Sequence, residues 1–266
     1  MNEELLETVE VGPAEGATAS GYLAARPRLP TATTSSPSSR KLGRADTAAV
    51  RFVFPHAPVQ PVTLNGGMAM RAWYDLYGLG ESMTEDARGI AASQARIEAL
   101  IRREHERGVP AQRLVLAGFS QGGAVALHTG LRHPERLAGI MGLSTDLPLR
   151  ERLGEADAAN ADAPLFLAHG TMDPVLPFEL GRGSKEHLEA AGYAVEWHEY
   201  PMQHEVCLEE IRDVGAWLRR VLGLEPPLGS GAPWCCALHH RASNRSLPLL
   251  PGVGNRLTRM RCTELA

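Results

Sequence analysis

Five residues, Gly118-Phe119-Ser120-Gln121-Gly122, carry the spacing Gly-x-Ser-x-Gly. They follow an apolar run of strand length, Leu114-Val115-Leu116-Ala117, and lead at once into the small-residue helical pattern Gly123-Ala124-Val125-Ala126-Leu127. A serine at that spacing between a strand and a helix is the arrangement of a nucleophile elbow. The flanking glycines let the chain turn where a Cβ would collide, and the serine is expected in a strained conformation with its hydroxyl exposed. A helix beginning at Gln121 aims unbonded N–H groups at the charge that grows on an attacked carbonyl, so the Gln121 N–H is the candidate oxyanion donor. Without the strand and the helix, the same five residues would read as a surface turn.

A serine nucleophile needs a base, and the base needs an orienting carboxylate. In elbow-type sheets these follow in the chain order Ser, Asp, His, each on a loop leaving a strand. Asp173 fits the second place, in the turn His169-Gly170-Thr171-Met172-Asp173-Pro174 after the apolar run Leu165–Ala168. His204 fits the third, in Tyr200-Pro201-Met202-Gln203-His204-Glu205. The rivals are Asp146 as acid, after the run Leu137–Leu143, and His169, His128 or His198 as base. His169 at a strand end suits a brace for the turn, His128 belongs to the helix after the elbow, and alternation decides which face His198 takes.

The elements that must hold these residues can be read in order. Leu6, Val9 and Val11 suit a first strand, and Val50–Phe54 a β-rich run stopped by Pro55 and Pro58. A long loop carries Asn65-Gly66-Gly67 and Ala72-Trp73-Tyr74-Asp75. Ser82 and Glu85 form a capping-box pattern for a helix to about Arg107, with Ile90, Ile97, Leu100 and Ile101 on one face. After the elbow come strands at Leu137–Leu143, Pro164–Ala168 and Ala194–Tyr200, and helices at Gly183–Ala191 and Glu205–Leu222. Alternating strands and helices predict an α/β fold with a mostly parallel sheet covered on both faces.

Length and charge narrow the function classes. With 266 residues, there is room for one α/β domain with a large core. A net charge of −4 gives no basic surface for nucleic acid or for an anionic membrane, so neither is an expected partner. No apolar run approaches the length of a membrane span, and Met1–Glu7 is acidic where a signal peptide would be basic and apolar. Four scattered cysteines make no disulfide framework, which points to the cytoplasm. Cys235, Cys236, His239 and His240 are too closely paired for one tetrahedral site, and no metal is expected.

The motifs GFSQGGAVALHTGL, NGG with AWYD, HGTMDPVLP and YPMQHEV resemble the phospholipase/carboxylesterase family of α/β-hydrolases, which includes the acyl-protein thioesterases. The resemblance runs from about Val50 to Leu222. It implies an α/β-hydrolase fold and a cofactor-free serine hydrolase acting on carboxylic esters or thioesters, small or carried on an acylated partner. It also implies that Trp73 borders the site, and it is compatible with a homodimer. A non-catalytic binding protein of the same fold is the reading from another class.

One family element is missing. Members carry a strand followed by Leu-His-Gly-Leu-Gly near the N-terminus, whose backbone supplies a second oxyanion donor. In its place stands Gly21–Lys41, rich in proline, serine and threonine, with neither helical nor strand periodicity. Gly21–Arg28 can be encoded as GGT TAT CTG GCT GCA CGG CCT CGG. One nucleotide later the same letters read Val-Ile-Trp-Leu-His-Gly-Leu. The expected organisation is therefore an α/β-hydrolase domain over residues 1–222, with 21–41 a frame-shifted segment, and a disordered or aberrant tail over 223–266. The competing reading of 21–41 is a genuine flexible insertion, and the alternative function that a frame shift brings is a catalytically impaired gene product.

Overall fold

The computed structural model describes residues 5–13, 17, 19–24, 50–78 and 85–224. The strands among them are β1 (Thr8–Val11), β2 (Ala19–Ala24), β3 (Val50–Pro55), β4 (Val59–Val62), β5 (Met68–Arg71), β6 (Leu114–Phe119), β7 (Gly139–Leu143), β8 (Leu165–Gly170) and β9 (Val195–Tyr200). The α-helices are α1 (Ala87–Glu106), α2 (Gln121–Arg132), α3 (Phe178–Ala190) and α4 (Leu208–Leu222). One seven-stranded sheet runs in the order β1-β3-β2-β6-β7-β8-β9, all neighbours parallel except β1 with β3.

Alternation along β6 shows why the sheet is buried on both sides. Leu114 and Leu116 join one apolar cluster, with Ile97, Leu100 and Ile101 of α1, Leu127 and Leu131 of α2 and Leu188 of α3. Val115 and Ala117 join the other, with Val214, Trp217 and Leu218 of α4. Three helices thus cover one face and α4 covers the other, as the strand–helix alternation predicts. No helix among the described residues is long and apolar enough to cross a membrane.

The structure corrects four expectations. Gly21–Ala24 is not outside regular structure: Ala19–Ala24 forms β2, in register with β6 from Ser20 opposite Leu114 to Ala24 opposite Gly118. A central parallel strand is held by main-chain bonds on both sides, so it can form without the alternation that marks a half-exposed strand. Residues 25–41 of that segment lie outside the described residues, as do 225–266 with Cys235, Cys236, His239 and His240.

The helix cap is Asp86, whose Oδ1 accepts the Gly89 N–H at 2.9 Å; Ser82 lies outside the described residues, and Glu85 accepts from the Leu149 N–H at 2.6 Å instead. What reads as a long loop contains the antiparallel hairpin β4–β5, whose connection needs two successive left-handed residues, Gly66 and Gly67. Helix α3 begins at Phe178, five residues before the predicted Gly183, directly after Pro177.

A buried ion pair locks the sheet's edge to α1. Arg51 of β3 donates to Glu104 at 2.5 Å, with the two side chains 2% and 0% exposed. Arg107 donates to the other Glu104 oxygen at 2.7 Å, and Arg103 and Arg107 both reach Glu10 of β1. Several charges and hydrogen bonds satisfy one another here, which buried ion pairs require.

Glu210 has no such partner. It sits three residues past the N-cap Cys207 of α4, fully buried, and neither carboxyl oxygen has a hydrogen bond. Burial pushes its carboxyl up to about 8 from the usual 4.5. Between those two values the unfolded chain releases a proton that the fold keeps, so this group lowers stability as pH rises through the window, and does so fully above it. Glu210→Gln removes the titration and keeps the shape. The variant should melt higher than the native protein at pH ~8, with the gap shrinking toward pH ~5; thermal melts at the two pH values check it, and a gap that does not depend on pH refutes the burial argument.

Candidate active site

The elbow is built by close approach of backbone. Ser120 has φ 56 and ψ −128, a left-handed conformation for a residue with a Cβ. A Cβ on Gly118 would stand 2.1 Å from the Gly122 carbonyl carbon and oxygen, and one on Gly123 would stand 2.7 Å from Thr145 Cβ. Only glycine lets β6 reverse into α2 here. Around the turn the Ser120 N–H donates to Leu143 O at 2.9 Å. Its own carbonyl accepts from the Gly123 and Ala124 N–H groups and from Thr145 Oγ1. The strained residue is thus held from both sides.

Three loops at the carboxyl ends of β6, β8 and β9 bring Ser120, Asp173 and His204 together, where open α/β sheets place their sites. His204 Nδ1 lies 2.6 Å from Asp173 Oδ2, and His204 Nε2 lies 3.0 Å from Ser120 Oγ. A carboxylate only accepts, so Nδ1 carries the proton and Nε2 is left as the acceptor for the serine hydroxyl. Asp173 Oδ1 accepts the N–H groups of Val175 and Leu176 at 2.8 and 2.9 Å, which fixes the carboxylate before it meets the imidazole. The Asp173 side chain is fully buried and that of His204 nearly so. The Phe119 ring packs on the imidazole at 4.8 Å between centroids.

The Gln121 N–H opens α2 and has no bond to any described residue, which leaves it free to meet an anionic oxygen. The place of a second donor, after β2, lies outside the described residues. The Gln121 side chain is engaged elsewhere: its Oε1 accepts the Trp73 N–H at 3.2 Å and its Nε2 donates to Tyr74 O at 3.0 Å. The Trp73 backbone therefore lies against the elbow, while its indole is completely buried in the core with Nε1 unpaired.

The rivals sit elsewhere. His169 Nε2 bonds to Leu176 O at 2.9 Å and its Nδ1 is buried without a hydrogen bond, so it braces the Asp173 turn. His128 is buried on α2, and burial lowers it to about 4. His198 stacks on Phe166 beneath α4, with ring centroids 4.8 Å apart. Asp146 is buried beside Tyr74 and Glu85, and desolvation holds its carboxyl above the usual range. It makes no bond to His204. The brace by His169 has a local signal, its place at the end of β8. The Gln121 bridge has none, because it joins residues 48 positions apart.

Comparison with known proteins supplies the family. Residues 38–222 match the family model Phospholipase/Carboxylesterase. Acyl-protein thioesterase 1 of Yarrowia lipolytica is 44% identical over 174 residues, covering 64% of this chain and 77% of that protein. The protein of the same name from Mycosarcoma maydis is 41% identical over 194 residues, covering 67% and 81%. Among solved structures, Zea mays acyl-protein thioesterase 2 superposes with a TM-score of 0.70 at 29% identity, covering 82% of this chain and 99% of that one. Arabidopsis thaliana SOBER1 gives 0.71 at 24% identity, covering 77% and 99%, a likeness of fold. The chain belongs to the phospholipase/carboxylesterase family of α/β-hydrolases.

Proposed function

We propose that the protein is a serine hydrolase cleaving carboxylic esters and thioesters through an acyl-enzyme, without metal or organic cofactor. The observation that carries this reading is the unbroken line from Ser120 Oγ through His204 to Asp173, with bonds of 3.0 and 2.6 Å. His204 Nε2 takes the serine proton as Oγ attacks the acyl carbonyl, and the Gln121 N–H receives the negative oxygen. The proton then passes to the leaving alcohol or thiol. Water attacks the acyl-enzyme by the reverse route, and Asp173 keeps the tautomer and stabilises the charged imidazole. A thioester of a protein-bound acyl group is the first substrate to try, because the relatives at 41–44% identity are named acyl-protein thioesterases. Four cysteines scattered without a disulfide framework favour the cytoplasm as its compartment.

A second reading concerns residues 21–41. The family match begins only at residue 38, and the family's Leu-His-Gly-Leu-Gly is absent from the chain as written. We propose that this segment is displaced in frame and that the chain as written lacks half of its oxyanion hole. Such a loss costs on the order of 10²–10³ in turnover.

Ser120→Ala should abolish both hydrolysis of a p-nitrophenyl ester and labelling by a fluorophosphonate probe, with the fold intact by circular dichroism. Labelling at the native rate would falsify the nucleophile. Asp173→Asn should lower kcat by about 10⁴, whereas Asp146→Asn should leave it within roughly tenfold; steady-state kinetics of the pair check it, and the opposite ranking assigns the acid to Asp146. Replacing Gly21–Pro27 with Val-Ile-Trp-Leu-His-Gly-Leu, and the rest of the segment with its own shifted reading, should raise kcat by about 10²–10³ and raise the melting temperature. Equal activity in both chains removes the frame account.

A further inference from the structure

The segment from Ala72 to Leu76 joins the β4–β5 hairpin to the chain before α1, and it has no regular structure of its own. Most of its peptide groups are nevertheless bonded, largely to side chains. The Ala72 N–H donates to Pro58 O, and Ala72 O accepts from Gln60 Nε2 at 2.6 Å. Trp73 O accepts from Ser93 Oγ of α1, the Asp75 N–H donates to Asp86 Oδ2 at 3.0 Å, and Leu76 O accepts from the Leu64 N–H. The Trp73 N–H and Tyr74 O are both taken by one side chain, the Gln121 carboxamide.

That side chain belongs to the residue whose own N–H faces the oxyanion position. Resting on the triad reading, we infer that the Gln121 carboxamide is a positioning group: by bridging Trp73 and Tyr74 it sets the first turn of α2 and thereby aims the Gln121 N–H. The chemistry required is narrow. An acceptor for Trp73 and a donor for Tyr74 must sit on adjacent atoms of one planar group, which a carboxamide provides and a carboxylate does not. A carboxylate would face Tyr74 O with a second acceptor across about 3.0 Å. The strap is immobilised by α1 and by the hairpin, so it serves as the fixed body against which the elbow is held. An N–H aimed in this way acts on the anionic intermediate and hardly at all on bound substrate, so its misplacement lowers kcat rather than raising KM.

Gln121→Met and Gln121→Glu test the inference. Gln121→Met should lower kcat about 10²-fold with KM within about threefold, by analogy with a misaimed donor. Gln121→Glu should show a similar loss at pH ~8 that shrinks toward pH ~6, because the introduced half-buried carboxyl, facing Tyr74 O, regains a donor when protonated. The native-to-variant ratio removes any pH dependence that the two enzymes share. Hydrogen exchange of the Trp73 amide, read in a peptide covering residues 70–78, should speed up about tenfold in Gln121→Met while α4 is unchanged. Native kcat in both variants, a loss confined to KM, or a pH-independent Gln121→Glu deficit overturns the aiming role. If the native protein hydrolyses nothing, the triad reading fails on its own, and unchanged Trp73 exchange in Gln121→Met still overturns the bridge.

Discussion

The backbone at Ser120 is the constraint from which the rest of the site follows. A residue with a Cβ held at φ 56 costs on the order of 1–3 kcal/mol, and no local interaction repays that in an isolated turn. It persists because β6 and α2 approach so closely at Gly118, Gly122 and Gly123 that the chain has no other way round. Thr145 Oγ1 and the Leu143 carbonyl then hold the turn from the neighbouring strand's end. The strain is sustained by the packing of the whole sheet, so Ser120 is positioned by the fold and not by its own loop.

The same economy governs the other two loops. Asp173 spends one oxygen on the backbone of its own turn and the other on His204, while His169 closes that turn from behind through Leu176 O. The imidazole thus inherits its orientation from a carboxylate that cannot rotate. This order of support, strand end to turn, turn to carboxylate, carboxylate to imidazole, fixes the geometry of the site.

Much of this was legible in the chain. Leu114–Leu127 declared strand, turn and helix because apolar runs, glycines and a serine fell in a spacing that few other structures use. The order Ser120, Asp173, His204 was equally open, since each follows a strand-like run. β2 was not legible: Ala-Ser-Gly-Tyr-Leu-Ala has no alternation, and its pairing depends on β3 and β6, which lie far along the chain. The hairpin β4–β5 hid because Pro61 interrupts β4 and because its strands carry Val59 and Met68 in the open. Asp86 displaced Ser82 as helix cap since Asp, Ser and Thr are all good caps, and only geometry chooses among them. Side-chain bridges to distant backbone, such as that of Gln121, leave no periodic trace at all.

The sheet's strand order has a kinetic consequence. β2 stands between β3 and β6, so the centre of the sheet closes only when Ala19–Ala24 meets Leu114–Phe119, roughly ninety residues away along the chain. Pairings this remote bear the loop-closure cost before any contact rewards them, and parallel pairings bear it most. The strands from β6 to β9 and their helices form a nearly consecutive run that can assemble first. Until β2 arrives, that half-sheet presents the open edge of β6, a strand with main-chain groups unpaired along one side. Refolding at high protein concentration therefore sets intramolecular capture of β2 against edge-to-edge association of two half-sheets.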